Sequence, residues 1–479
     1  MIRLRPSGVD ELLIKRVRDW YEPGPGVFFT GITGTESFSP AMLFTTGVNG
    51  AWYDPSDLTT LYQDAAGTIP VTAFEQPVGR MLDKSGRGNH AFNPSGNSAN
   101  FPVLSARYNL LTKSEQFADA YWAKNNATVT NPTATTIVET TAANSEHNIF
   151  AAIDSAAAAT YTFSVECALS SGTRYAAIQI ATNNADNSTG RYTVVVDLSD
   201  GAVKSEASGA GTTGKSKSVT SNGSGKWRIS VSAAHSSGTV YGVIGMSNSA
   251  TPTYNASSNP TYTGDGTSGI YIWGADLRVS NDALNQPAYQ RVNTASDYDT
   301  VGFKPYPRFN GTNQWLQTSS IDFSYGDKMF VSAGVRKLSD AGNPIIIELS
   351  SADTNSWIFS LFAGAPFYSQ EYRFASRGTS ASAAGETVNV PPSTNIVSGV
   401  GDISGDQAIL RVNGTQVATS TADQGTGNYG NYPLYIGARA GTSLWFNGRL
   451  YGLVVAGKAA SASEITNTEA FTNQKTGAY

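Results

Sequence analysis

The strand pattern of this chain is interrupted. A sheet-forming block opens at Ala51-Trp-Tyr-Asp-Pro-Ser-Asp57 and runs through Asp83-Lys-Ser-Gly-Arg-Gly-Asn-His90. It breaks off near residue 104 and resumes at Pro307-Arg-Phe-Asn-Gly-Thr-Asn-Gln-Trp315. Between the pieces lies a second block with period-two runs of its own, at 161–167, Arg174–Ile180, Tyr192–Leu198, Trp227–Val231, Tyr241–Met246 and Ile270–Leu277. Each run places apolar residues on one face, as half-buried strands require. Ser199-Asp-Gly201 and Asn222-Gly223 are turn signals between them, and about eight strands at this spacing make a jelly roll. The resumed block alternates in the same way at Met329–Val335, Ile345–Leu349, Trp357–Phe362, Tyr372–Phe374, Ala408–Val412, Leu434–Ile436 and Leu450–Val455. Asn413-Gly414 within it supplies the positive-φ turn of a hairpin. The order implies an all-β chain of two β-sandwich (jelly-roll) domains, one inserted in the other.

The boundaries follow. Residues 1–48 form an N-terminal anchoring segment and 49–104 the first part of the outer sandwich. Residues 105–295 are the inserted jelly roll, and 296–479 the remainder of the outer sandwich. Val9, Leu12, Leu13, Val17 and Trp20 recur at helical spacing over 7–20, with Ser7 and Asp10 as a capping box and Pro23-Gly-Pro-Gly26 as the stop. This short helix reads either as docked on its own domain or as the peg that anchors the chain to a larger assembly. At the other end Ser461 and Glu464 cap a closing helix whose apolar residues are Ile465 and Phe471.

Composition narrows the function. With 40% hydrophobic and 11% aromatic residues among 479, the chain is too apolar for disorder. Charged residues are only 14% and Gly reaches 48, a profile of short strands and small polar turns. The formal net charge of −5 shows no basic surplus for neutralising phosphates, so no nucleic acid partner is expected. One cysteine, Cys167, forbids an intrachain disulfide framework and sits where an alternating strand would bury it. No run of 18 apolar residues exists, so no membrane insertion is expected, and the N-terminus carries no secretory h-region.

Residues 307–479 resemble the concanavalin A-like/laminin G-like lectin sandwich of modular bacterial and phage proteins. The phrases that carry the likeness are Phe309-Asn-Gly-Thr-Asn-Gln-Trp-Leu316, Ile409-Leu-Arg-Val-Asn-Gly414 and Phe446-Asn-Gly-Arg-Leu-Tyr-Gly-Leu453. Residues 108–277 are similar to carbohydrate-binding-module-like jelly rolls, in Asn109-Leu-Leu111, Phe117, Tyr121-Trp122 and Ile270-Tyr-Ile-Trp-Gly-Ala-Asp-Leu277. Trp52-Tyr-Asp-Pro-Ser-Asp57 with Gln76-Pro-Val-Gly-Arg-Met-Leu-Asp-Lys-Ser-Gly86 resembles a signature of tailed-bacteriophage virion proteins. The resemblance implies a virion surface protein assembled in the host cytoplasm. It would be a tail fibre or receptor-binding protein contacting host glycans, or else a capsid decoration or head-fibre protein. Its partners would be other virion proteins through the N-terminal segment, host surface polysaccharide, and further copies of itself.

Few constellations for chemistry stand out, and no enzyme activity is expected. Gly209-Ala-Gly-Thr-Thr-Gly-Lys-Ser216 satisfies the P-loop spacing, but no buried strand precedes it and no helix follows to offer its amides to phosphate. His90, His147 and His235 have no helical partners for zinc. Glycosidases of the concanavalin type resemble one another in a Glu-x-Asp-x-x-Glu strand; the nearest segment, Glu348–Asp353, lacks that alternation, which leaves a polysaccharide-degrading tailspike the least favoured role. No cofactor is expected. A structural calcium stays open, with Asp54, Asp57 and Asp83 as its oxygen donors, against the plainer reading of turn-forming carboxylates. Carbohydrate binding asks for exposed aromatics beside amides: Trp445, Asn447, Tyr432, Asn431 and Trp357 are the candidates, with burial in a core as the competing reading for each tryptophan.

Overall fold

The computed structural model describes residues 38–129, 136–182, 190–280, 286–351, 357–364, 372–386 and 389–479. The N-terminal helix expected over 7–20, with Val9, Leu12, Leu13, Val17 and Trp20, lies outside them. The described chain is mostly β, in multiple antiparallel sheets with a helix near the C-terminus.

The outer sandwich is two sheets drawn from both ends of the chain. Its eight-stranded sheet runs Thr415–Ser420, Gln407–Val412, Ser393–Asp402, Lys328–Lys337, Asn447–Ala456, Tyr306–Asn310 and Val103–Ser105, with Gly50–Tyr53 also on Asn447–Ala456. There Trp52 stands opposite Val454 and Tyr306 opposite Ser105. The facing nine-stranded sheet runs Leu61–Tyr62, Arg80–Met81, Ala91–Phe92, Leu316–Gln317, Leu434–Ile436, Ile345–Ser350, Trp357–Phe362, Tyr372–Arg377 and Ala381–Glu386. The two sheets share a core that includes Tyr53, Leu61, Met81, Leu316, Ile347, Phe359, Phe374 and Leu453, drawn from early and late sequence alike. The hairpin at Asn413-Gly414 forms with φ of 49° and 78°, the positive values its two-residue turn needs.

The intervening residues build a second sandwich of two six-stranded sheets. Ala159–Ser171 and Gly269–Val279 lie at the middle of one, Tyr175–Thr182 and Gly238–Ser247 at the middle of the other. Trp122, Phe163, Ile178 and Ile272 are fully buried between them. Every strand expected there is present. Six more join them: Ala123–Asn125, Ala127–Val129, Thr136–Glu139, Asn148–Ala156, Val203–Ser208 and Ser216–Gly223, of which the last two flank residues 209–215. The P-loop look-alike connects the last two, so a strand, not a helix, follows Lys215. Cys167 is buried in this core, and desolvation pushes its thiol well above the ordinary range.

The C-terminal helix, Ala462–Thr476, has both hydrogen bonds of the Ser461–Glu464 capping box. Its buried residues are Thr468, Glu469, Thr472 and Thr476, whereas Ile465 and Phe471 are only half-buried. Gly334 explains the preference for threonine: a Cβ there would meet the Thr472 methyl at 2.5 Å, so the helix lies against bare backbone. Glu469 is held by Arg411 through two bonds of 2.9 Å. Ser461→Ala removes the cap and is expected to lower stability by about 1 kcal/mol in urea unfolding; an unchanged midpoint would mean that the cap contributes nothing.

Candidate site on the outer face of the nine-stranded sheet

Directly paired residues of antiparallel strands share a face, so register sorts this sheet into rows. One row points inward: Leu61, Met81 and Ala91, continued by Leu316, Ile436, Ile347, Leu361, Phe374 and Ala384, all in the core. The alternate row points away from it: Tyr62, Arg80, Phe92, Gln317, Tyr435, Glu348, Ser360, Ala375 and Ala383. Aromatic and polar side chains alternate along its first half.

The two halves of this outward row differ in cover. Over the second half folds the loop 437–446, whose Leu444 packs on Ile345, Phe362 and Ala375, and whose Arg439 reaches Glu348. Trp315, Tyr435, Ala438 and Trp445 make a small apolar cluster beside it. Tyr62, Arg80, Phe92 and Gln317 are only half-buried. There the face opens into a cavity of about 250 Å³, lined by Ala65, Arg80, Gly88, Asn89, His90, Phe92 and Ser319.

Two polar groups of the cavity are fixed by the turn Asp83–His90. The Asp83 carboxylate accepts from the backbone of Trp52, Ser85 and Asn89, at 2.9, 2.8 and 3.0 Å, and so winds the turn around itself. The Asp83 N–H donates to His90 Nδ1 at 3.0 Å. A ring that accepts at Nδ1 is neutral with its proton on Nε2, so His90 presents a donor there. Burial chiefly, with the nearby Arg80 charge, holds this imidazole below its ordinary pKa. Arg80 donates from Nη1 to the carbonyls of Ala65 and Ala66, at 3.1 and 3.2 Å.

The residues singled out from sequence are dispersed. Trp445 joins the Trp315–Tyr435 cluster, half-buried. Tyr432 packs against the sandwich core instead. Asn431 is exposed on the neighbouring strand Gly430–Tyr432, near a loop in which Tyr325 is 88% exposed. Asn447 opens its strand opposite Asn310. The Trp357 side chain lies outside the described residues. Tyr62, Arg80 and Phe92 went unnoticed because each stands in a two-residue strand with no alternation to read.

The acidic candidates have cations of their own. Lys84 bonds Asp57 at 2.6 Å and lowers its pKa, while Lys475 pairs with Asp54. Asp57 also caps the short helix Leu58–Thr60. Asp83 is spent on its turn. No group of three or more His, Cys, Asp or Glu gathers as a metal cage among the described residues. Glu348 is fully buried and holds Arg439 at 2.9 Å and the Ser360 hydroxyl at 3.0 Å. Its neighbours in the row are Tyr435 and Ser360, so no second carboxylate stands beside it to complete a glycosidase pair. Asp353 lies outside the described residues.

Residues 310–466 match the family model of the concanavalin A-like lectin/glucanases superfamily. This stretch is similar to laminin G-like lectin domains. It supplies every strand of the nine-stranded sheet beyond residue 310, including the Gln317, Tyr435 and Glu348 positions. No curated protein matches the chain. Among solved structures, the NanB sialidase from Streptococcus pneumoniae is similar at 18% identity over 34% of this chain and 27% of that one, with a TM-score of 0.26. The botulinum neurotoxin type G receptor binding domain is similar at 10% identity over 36% and 43%, TM-score 0.27. The binding domain of botulinum neurotoxin DC in complex with SialylT gives 11%, 36% and 43%, TM-score 0.27. The chain spans less than half the length of each. At those scores they establish neither ligand nor activity for it.

Proposed function

We propose that the protein is a non-catalytic glycan-binding surface protein whose lectin-like sandwich takes a sugar chain across the open part of its outer face. The observation that carries this reading is the half-exposed row Tyr62, Arg80, Phe92, Gln317 beside the cavity. Neighbouring strands stand about 4.8 Å apart, so Tyr62 and Phe92, two strands apart, are spaced at roughly 10 Å. The electron-rich face of each ring meets the C–H face of a pyranose, and Arg80 and Gln317 supply hydrogen bonds to its hydroxyls. The buried, paired Glu348 supports binding without cleavage.

The likeness of residues 52–86 to tailed-phage virion proteins supports placing this lectin on a virion. There the tail-fibre role of adsorbing to host glycans fits best, with capsid decoration as the alternative. Antibody-labelled electron microscopy of particles would separate tail from head.

A glycan array with the full chain tests the site. Tyr62→Ala and Phe92→Ala are each expected to weaken binding about tenfold or more while leaving melting unchanged. Tyr325→Ala, in the loop 324–327, is expected to leave it intact. The reverse pattern would move the site to that loop. Release of reducing ends from a bound polysaccharide would overturn the non-catalytic reading.

A further inference from the structure

We propose that the glycan held at this site is acidic, and that the cavity over Arg80 and His90 seats its carboxylate or sulfate. The inference rests on the glycan reading and adds the charge of the ligand. Its ground is a cation without a counter-ion. The Arg80 guanidinium spends Nη1 on two carbonyls, but Nε is buried with no partner, and no carboxylate of the described residues pairs with it. In a chain with a net charge of −5, carboxylates were available to neutralise it. The Nε–H is withdrawn from water and left unpaired, which is costly, and an anionic oxygen entering the cavity would recover that cost through a charge-assisted bond to this half-buried guanidinium.

The rest of the lining agrees. His90 also lines the cavity, and with Nδ1 taken by the Asp83 N–H its ring carries its remaining donor at Nε2. Ser319 adds a hydroxyl at the exposed rim, and Phe92 walls one side for the sugar ring. Asp83, the acid nearest this turn, has its oxygens engaged by the backbone of residues 52, 85 and 89. Of the polar residues in the lining, Arg80, His90 and Ser319 can donate to an anion, while Asn89 Nδ2 is taken by the Gly50 carbonyl. A cation would find no carboxylate in the lining.

The test is a glycan array holding neutral, uronic-acid, sialylated and sulfated members, probed with the full chain. Binding is expected for acidic members alone and should weaken as salt rises from roughly 50 to 500 mM. Hits confined to uronic or sialic acids would assign the anion as carboxylate, and hits confined to sulfated members as sulfate. Arg80→Gln should lower that binding about tenfold or more. Because Arg80 also ties down residues 65–66, Ser319→Asp serves as a second variant: it sets a negative charge at the exposed rim without touching those bonds, and should weaken binding similarly with unchanged melting. Equal binding of neutral members, with both variants behaving as wild type, would overturn the acidic assignment and leave the glycan reading standing. Binding of no member at all would overturn both.

Discussion

Replacing Arg439 by alanine is expected to lower stability by about 3–5 kcal/mol at neutral pH, because it leaves the Glu348 charge buried and alone. Glu348 is fully buried, with Arg439 Nε and Nη2 at 3.0 and 2.9 Å and Ser360 Oγ at 3.0 Å. Desolvation raises its pKa above the ordinary 4.5, and Arg439 and Ser360 offset that only in part. The sign of the pH effect follows. A carboxyl that binds its proton more tightly when folded favours folding fully below pH 4.5, and that contribution is lost as pH rises through the higher folded value. Without Arg439 the folded value climbs further, so the deficit of the variant should be large at pH 7 and shrink on acidification. Arg439→Ala combined with Glu348→Gln should recover much of the loss, since no charge is then stranded. Urea unfolding at pH 7 and pH 5 measures all of this. A single variant that unfolds like the wild type at pH 7 would mean that Glu348 is hydrated or already protonated. The effect also bears on the site, because Arg439 holds the loop 437–446 over the half of the outward row that is closed to ligand.

How far the residues announced this architecture varied with how much each strand buries. Strands central to a sheet, such as Lys328–Lys337, Gly269–Val279 and Tyr175–Thr182, need apolar residues and are plain in the sequence. Val203–Ser208 and Ser216–Gly223 are edge strands whose residues stay exposed or half-buried, so Lys, Ser and Glu satisfy them and no pattern shows. Ser393–Asp402 is central but carries Gly399 and Gly401; a Cβ at 399 would sit 2.1 Å from the Phe374 ring, so the packing that fixes the strand also erases its signature. The helix cap and the Asn413-Gly414 turn are local chemistry, and local chemistry is legible. The site is not local. Tyr62, Arg80, Phe92 and Gln317 come from four strands of two residues each, joined only by register. Exposed tryptophans near loops were the natural signal for sugar binding, yet Trp315 and Trp445 found one another and closed over Tyr435.

The second large effect belongs to the joint between the sandwiches, where one amide side chain does the work of several backbone contacts. Gln290 is fully buried; its Oε1 accepts from the N–H groups of Tyr108 and Asn109 at 2.7 and 3.0 Å. Its Nε2 donates to the carbonyls of Ala106 and Asp299 at 2.8 and 2.7 Å. Both crossings between the lobes are thereby tied, the outgoing one at 106–109 and the returning one at 290–299. Around them Arg449 lies over the rings of Tyr108 and Tyr306, with centroids 5.2 and 4.4 Å away. Gln290→Ala strands four backbone groups, each costing roughly 1–3 kcal/mol if it stays dry, so a loss of at least about 3 kcal/mol is expected even if water enters. Gln290→Glu should cost at least as much at neutral pH, because it keeps the two accepted bonds but sets a buried carboxylate oxygen against the Ala106 and Asp299 carbonyls. Protease cleavage within 105–109 should quicken in step with the loss, since those N–H groups are what fold that crossing away from solvent. If Gln290→Ala lowers the melting temperature without exposing 105–109, the amide stabilises the inserted sandwich alone, and the lobes are held together by the aromatic stack around Arg449.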